Sequence, residues 1–91
     1  MTYEVKFSDE ANRDFVKLAK SEPKAFAKAS SFIEELKTHP KTGTGHPEPL
    51  MGLPENRWSR RITQKHRLVY RIFETEVIVD VLSAYGHYED R

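Results

Sequence analysis

Hydrophobic and polar positions follow two different periods along the first 37 residues. Residues 2–7 alternate, with Tyr3, Val5 and Phe7 on one side, which predicts a strand with one buried face. Two segments then carry apolar residues at helical intervals. These residues are Ala11, Phe15, Leu18 and Ala19 in the first segment and Phe26, Ala29, Ile33 and Leu36 in the second. We expect two helices, joined tightly enough to pack as a hairpin.

Local signals place the ends of these helices. Ser8 is followed by two acids, which is typical of a helix N-cap and first turn. Ser21 is predicted to cap the second helix, with Pro23 tolerated in its first turn. Pro40 disfavours helical backbone at His39, so the second helix should end near that residue.

The second half of the chain combines a long loop with three strand patterns. Residues 40–56 hold four of the five prolines and three of the four glycines, which predicts a loop. Strand patterns follow at residues 58–62, 67–73 and 77–85, with hairpin-length connections. The fold class is therefore α+β: an N-terminal strand, a two-helix hairpin and an antiparallel meander, with the helices on one face of the sheet.

Composition limits the class of protein. The 91 residues are predicted to form a single domain, residues 1–91, and 37% hydrophobic residues with ten aromatics are typical of a globular chain. The absence of cysteine excludes disulfide scaffolds, zinc ribbons and thiol catalysis. No apolar run approaches the roughly 20 residues of a membrane span, and the N-terminus lacks a signal-peptide pattern. We expect a cytoplasmic protein with no membrane partner.

Positive charge is concentrated in one stretch. Residues 57–71 contain six of the 15 Lys and Arg residues and no acid, whereas the remaining nine share the rest of the chain with all 14 acids. Five of the six are arginines, whose planar guanidinium suits bidentate phosphate contacts. This pattern indicates either a polyanionic partner or a strand face paired with the acids of the helices, and charge alone leaves both interpretations open.

Side chains suited to RNA cleavage occur on separate predicted elements. Cleavage by the adjacent 2′-hydroxyl needs a base, cations around the phosphate and an acid for the leaving 5′-oxygen. Glu48 is the candidate base because flanking prolines stiffen its backbone, although a solvated loop glutamate is the alternative; His46 is a second option. Arg61 and Arg67 are the candidate phosphate clamp, since a hairpin would bring them side by side; pairing with acidic side chains is the alternative.

The end of the chain supplies the candidate acid. His87 titrates in the useful range, and Tyr85 and Tyr88 flank it and are suited to stacking on a base. A frayed aromatic terminus is the alternative. His66, in the hairpin turn, is predicted to be structural or exposed. Metal ligation by the four histidines is not expected, because no pair has ligand spacing on one element.

Four short motifs together resemble a known family. They are Pro-Glu-Pro-Leu at 47–50, Trp-Ser-Arg-Arg-Ile-Thr at 58–63, His-Arg-Leu-Val-Tyr at 66–70 and His-Tyr at 87–88. In this order and spacing they resemble the YoeB/Txe family of RelE-type toxins. The resemblance implies a RelE-like fold and a metal-independent, cofactor-free endoribonuclease that cuts mRNA on the ribosome and inhibits translation.

The resemblance also implies roles for individual residues. Glu48 would be the general base, His87 the general acid, and Arg61 and Arg67 the phosphate stabilisers, while Tyr88 would position a nucleotide or the acid. Five further residues are predicted to contact RNA, namely His46, Arg60, Lys65, Arg71 and Tyr85.

Two positions depart from the family pattern. Met51 stands where the family often has a lysine, which removes one cation from the predicted site. The chain also continues for three residues past Tyr88, with two acids beside His87.

The expected partners also follow from the resemblance. They are a cognate YefM/Axe-like antitoxin, the ribosome with its mRNA, and operator DNA only through the antitoxin complex. The choice between monomer and homodimer stays open. The alternative function is a non-catalytic toxin or repressor-complex subunit that binds a protein or nucleic-acid target.

Overall fold

A two-layer α+β architecture places both helices on one face of a five-stranded sheet. The computed structural model describes residues 2–51 and 56–86. The elements are β1 (Glu4–Phe7), α1 (Asp9–Ser21), α2 (Pro23–Leu36), β2 (Glu48–Pro49), β3 (Arg57–Arg61), β4 (Arg67–Phe73) and β5 (Ile78–Ser83). The strand order is β1-β5-β4-β3-β2, with β1 parallel to β5 and every other pair antiparallel. The predicted fold class is confirmed.

The two helix starts are built differently. Ser8 caps α1 as predicted, because its hydroxyl accepts the Ala11 amide at 3.0 Å; the same hydroxyl donates to the Leu82 carbonyl and so ties the helix to β5. The predicted cap at Ser21 is wrong. Ser21 is the last residue of α1 and its hydroxyl donates to the Lys17 carbonyl, while Glu22 alone connects the helices and α2 begins at Pro23.

The core lies between the helices and the inner face of the sheet. Its buried hydrophobic side chains include Leu18, Ala29, Phe32, Leu36, Leu68, Tyr70, Ile72, Val79 and Val81. On α1 the buried positions are Ala11, Asp14 and Leu18, whereas Ala19, predicted to be apolar and inward, is exposed. Asp14 is inside because its carboxylate accepts the Ala84 amide at 2.9 Å, which satisfies a buried polar group.

The outer face of the sheet carries the polar side chains of the central strands. Leu68, Tyr70 and Ile72 of β4 point into the core, so Arg67 and Arg71 lie on the opposite face. At Leu82 the register between β4 and β5 shifts, because Val69 pairs with Ser83 while Tyr70 pairs with Val81. This β-bulge adds one residue at the end of β5, the strand that leads to the C-terminal segment.

The described part of the predicted loop, residues 40–51 and 56, contains one short strand that the loop's composition did not indicate. β2 pairs Glu48 with Ser59 and Pro49 with Trp58, which makes β2 the edge strand of the sheet. Proline is compatible with this position because an edge strand leaves one row of backbone groups unpaired. Among residues 2–51 and 56–86, no helix has the length and apolar character needed to cross a bilayer.

Candidate active site

Two arginines meet on the outer face where β3 and β4 end and begin. Arg61 and Arg67 are Cα partners in the antiparallel register, as the sequence predicts. Arg61 is exposed, and the Arg67 side chain is 24% exposed. Two adjacent guanidiniums repel each other in the absence of an anion, so this pairing is suited to an anionic partner.

Glu48 is brought to the same place by β2. Its partner Ser59 lies on the outer face of β3, two residues from Arg61. The Glu48 carboxylate Oε2 is 3.5 Å from Nη1 of Arg67, and the glutamate side chain is 58% exposed. The carboxylate is therefore accessible to solvent and lies next to a cation.

The backbone on both sides of Glu48 is tied to β3. The Arg61 amide donates to the Gly45 carbonyl at 2.7 Å, and the Leu50 amide donates to the Arg57 carbonyl at 2.9 Å. Gly45 has a φ of +80°, and a Cβ there would overlap the ring of Phe32, so glycine is required at this bend. These constraints hold Glu48 in register with the arginine pair.

Ser59, the β3 partner of Glu48, lies beside these charged groups, and it was not among the predicted site residues. It is fully buried, and within the described segments its hydroxyl is the one buried side-chain polar atom without a hydrogen-bond partner. Its alternation with Arg61 along β3 was visible in the sequence. Its burial was not, because that depends on the neighbouring strands.

Arg60 is not available to RNA, and the prediction that it binds RNA is wrong. It points to the helix side of the sheet, and its side chain is fully buried. Its guanidinium donates to Tyr70 Oη, Glu35 Oε1 and the carbonyls of His39, Thr42 and Thr44. All five contacts are internal, so Arg60 holds the 39–44 loop against the sheet and does not bind a ligand.

Glu35 is the carboxylate partner of Arg60 and a second anchor of this loop. Its two oxygens accept the amide and the hydroxyl of Thr44, at 3.0 and 2.6 Å. Burial raises the pKa of Glu35, but hydrogen bonds from Thr44 and Arg60 and the charge of Arg60 outweigh it, so the pKa lies below its usual value. Burial raises the pKa of Tyr70 despite the opposing influence of Arg60. The ion pair therefore fixes the loop that leads to Glu48.

The other predicted RNA contacts lie on three separate segments of the chain. His46 is exposed, with a φ of +55°, two residues before Glu48. Lys65 is exposed in the β3–β4 turn. Arg71 lies four residues along β4 from Arg67 and stacks on Phe73, with its Cζ 4.2 Å from the ring centroid. Their contact with RNA stays a prediction.

Tyr85 contacts two side chains of the protein, His66 and Lys17. Its ring centroid is 4.4 Å from that of His66, and the Lys17 ammonium lies 4.9 Å from the Tyr85 ring centroid. The side chain is nevertheless 41% exposed. Stacking of a base on Tyr85 therefore stays a prediction, whereas the buried His66 agrees with the structural option for that residue.

The predicted acid His87 and its neighbour Tyr88 lie outside the described residues, so their roles stay predictions. The same holds for the three residues that follow them. In the part of the chain that the structure describes, no group of three or more His, Asp or Glu side chains is placed to hold a metal ion.

Comparison with known proteins identifies the family. A family model described as the YoeB-like toxin of bacterial type II toxin–antitoxin systems matches residues 7–88. A toxin named YoeB from Mycobacterium bovis and one named RelK from Mycobacterium tuberculosis are each 39% identical over 84 residues, which is 92% of this chain and 96% of the relative.

Solved structures agree with this assignment. A YoeB/ParE toxin from Agrobacterium tumefaciens superposes with a TM-score of 0.85 at 30% identity, covering 93% of this chain and 99% of the other. The YoeB dimer from Staphylococcus aureus gives 0.80 at 27% identity, covering 97% and 100%. The YoeB–YefM complex from the same organism gives 0.77 at 26% identity, with the same coverage. This chain therefore belongs to the YoeB-like toxins of bacterial type II toxin–antitoxin systems.

Proposed function

We propose that this toxin is a ribosome-dependent mRNA endoribonuclease whose active site is the cluster of Glu48, Arg61 and Arg67. The observation that carries the proposal is the meeting of an accessible carboxylate and two paired guanidiniums on the outer sheet face, with Glu48 Oε2 3.5 Å from Arg67. A proton acceptor next to a phosphate-binding pair is the minimal requirement for cleaving RNA through its own 2′-hydroxyl.

The reaction proceeds as an internal transesterification. Glu48 takes the proton of the 2′-hydroxyl, and the 2′-oxygen attacks the adjacent phosphorus. Arg61 and Arg67 stabilise the negative charge that builds up on the phosphate oxygens. The bond from phosphorus to the 5′-oxygen breaks, and His87 donates a proton to that oxygen. The products are a 2′,3′-cyclic phosphate and a 5′-hydroxyl, and no water, metal or redox cofactor enters this step.

His87 is assigned the acid role because of its sequence context. It directly follows Gly86, whose carbonyl accepts the Arg67 amide at 3.1 Å, so the described chain ends beside the phosphate clamp. Tyr88 is assigned to positioning of the nucleotide or the acid. His46, Lys65, Arg71 and Tyr85 are proposed to contact the RNA around the cleaved bond.

The partners follow from the family. We propose that a YefM-like antitoxin binds and silences this toxin, as the Staphylococcus aureus complex shows for its own YoeB and YefM. Operator DNA would be reached only through that complex. The solved YoeB dimer makes a homodimer the proposed alternative to a monomer for this chain.

Toeprinting on a translating mRNA tests the proposed function. The wild-type toxin should cut within the A-site codon only when ribosomes are present. Glu48→Gln, Arg67→Ala and His87→Gln should each lower cleavage by about 10²-fold or more, the usual contribution of an acid, a base or an oxyanion donor. Glu10→Gln is the matched control for Glu48→Gln, because Glu10 is an exposed carboxylate on α1. Ribosome stalling without a cut would indicate the non-catalytic alternative.

A further inference from the structure

A buried histidine next to the arginine pair is not used by the proposed chemistry. His66 immediately precedes Arg67, and its side chain is 2% exposed. A buried imidazole needs hydrogen-bond partners for its ring nitrogens, and both nitrogens of His66 have one. Nε2 is 2.7 Å from Glu22 Oε2, and Nδ1 accepts the Gly86 amide at 2.8 Å.

The neighbouring residues His66 and Arg67 hydrogen-bond to both backbone groups of Gly86. The Gly86 N–H donates to Nδ1 of His66, and the Gly86 carbonyl accepts the Arg67 amide at 3.1 Å. The ring of Tyr85 contacts the imidazole, with 4.4 Å between centroids and an angle of 40° between the ring planes. Gly86 adopts a φ of +87°, so the chain turns at the residue that leads to His87.

These contacts require one tautomer of His66. A backbone amide can only donate, so Nδ1 must be unprotonated and the ring proton must reside on Nε2. That proton is donated to the Glu22 carboxylate at the α1–α2 junction. Glu22 therefore selects the form of His66 that accepts from Gly86, which links the helical layer to the C-terminal segment.

We propose that His66 is a positioning residue for the cleavage reaction: its unprotonated Nδ1 holds the backbone of Gly86 next to Arg67, and Gly86 is the residue that precedes the proposed acid in the sequence. This inference rests on the proposed function and adds a residue that contacts neither RNA nor the reacting atoms. Its contribution is geometric, and misplacement of a reacting group by about 1 Å costs about 10²-fold in rate.

Two substitutions separate the functions of the two ring nitrogens. In His66→Asn the amide oxygen reaches the position of Nδ1, so the Gly86 bond is kept while the Glu22 bond is lost. In His66→Gln the longer side chain reaches the position of Nε2, so the Glu22 bond is kept while the Gly86 bond is lost. Both variants lose the contact between the imidazole and the Tyr85 ring, so each controls for the packing change of the other.

Two readouts are measured on each folded variant: amide hydrogen exchange at Gly86 by NMR, and single-turnover mRNA cleavage on ribosomes. We expect His66→Gln to lose Gly86 protection and to cleave about 10²-fold more slowly. His66→Asn should retain protection and most of the cleavage. Glu22→Ala is the second variant should His66→Gln not fold, and in it protection and cleavage should fall together.

Three outcomes would overturn the inference. They are wild-type cleavage by a variant that has lost Gly86 protection, equal loss of cleavage in His66→Asn and His66→Gln, and unchanged Gly86 exchange in His66→Gln. Parallel measurement of His87→Gln separates this inference from the proposed function. An inactive His87→Gln beside a fully active His66→Gln would overturn the positioning role alone, whereas a fully active His87→Gln would overturn the acid assignment on which that role depends.

Discussion

Replacing Arg60 with lysine should destabilise the fold although the charge is conserved. The Arg60 guanidinium makes five internal hydrogen bonds, to Tyr70, Glu35, His39, Thr42 and Thr44. A lysine ammonium has three donors on one nitrogen and cannot span the fork that these acceptors occupy. At least two of the five acceptors would therefore lose their partner in Arg60→Lys.

The size of the effect follows from these unpaired groups. Each buried acceptor left without a donor costs about 1–3 kcal/mol, which gives about 2–6 kcal/mol for two. Thr42 and Thr44 lie in an exposed part of the loop, where water can reach their carbonyls, so the lower half of this range is expected. A loss of about 3 kcal/mol corresponds to a fall in Tm of about 12–24 °C for a domain of this size.

The neighbouring arginine provides a matched control. Arg61→Lys makes the same chemical change one residue along β3, where the side chain is exposed and has no ion pair with any described residue. Its free energy of unfolding should stay within about 0.5 kcal/mol of wild type. Cleavage should show the opposite order: Arg61→Lys loses activity, whereas Arg60→Lys, measured at a temperature where it is folded, retains most of it.

Urea denaturation monitored by Trp58 fluorescence gives both free energies. A loss below about 1 kcal/mol for Arg60→Lys would refute the argument, because a single unpaired buried acceptor already costs that much. A loss of cleavage in folded Arg60→Lys as large as in Arg61→Lys would show that Arg60 contacts the RNA after all.

Three further predictions concern Glu35, Ser8 and Met51. The pKa of Glu35 is lowered from its usual 4.5, so the ionised carboxylate contributes stability above pH 4.5. This stability is lost as the pH falls through the folded-state pKa of Glu35. The difference in free energy of unfolding between wild type and Glu35→Gln, measured by urea titration, should therefore become smaller over that pH range. Ser8→Ala should lose about 1–2 kcal/mol in thermal unfolding, whereas Ser21→Ala should change by less than about 0.5 kcal/mol, because only Ser8 caps a helix. Met51→Lys should raise the single-turnover cleavage rate by returning a cation to the site, and an unchanged rate would show that this cation is dispensable.

Most of the architecture could be predicted from the sequence, because the buried faces of helices and strands appear in it as regularly spaced hydrophobic residues. One case is β4, in which Arg67, Val69 and Arg71 alternate with core residues. The pairing of Arg61 with Arg67 followed from this alternation. The cap at Ser8 was equally local. Ser21 carries a similar signal, but a single residue reverses the chain at Glu22, and so Ser21 stays within α1.

The rest depended on contacts between distant parts of the chain. The partners of Arg60 lie 10 to 25 residues away, so a run of arginines did not reveal that one of them is internal. The feature of the sequence that indicates an internal Arg60 is its position on the same strand face as the hydrophobic residues Trp58 and Ile62. β2 has two residues and therefore no period. The bond from Gly86 to His66 joins segments 20 residues apart and left no trace in the local sequence.

We propose that the cluster of Glu48, Arg61 and Arg67 cleaves RNA through the RNA's own 2′-hydroxyl. An mRNA with a single 2′-deoxynucleotide on the 5′ side of the cut bond tests it most directly, with the wild-type toxin and ribosomes under otherwise identical conditions. We predict that this mRNA stays intact, while the all-ribose control yields a 2′,3′-cyclic phosphate and a 5′-hydroxyl. Cleavage of the deoxy substrate at the normal rate, or a product with a 5′-phosphate, would contradict the account.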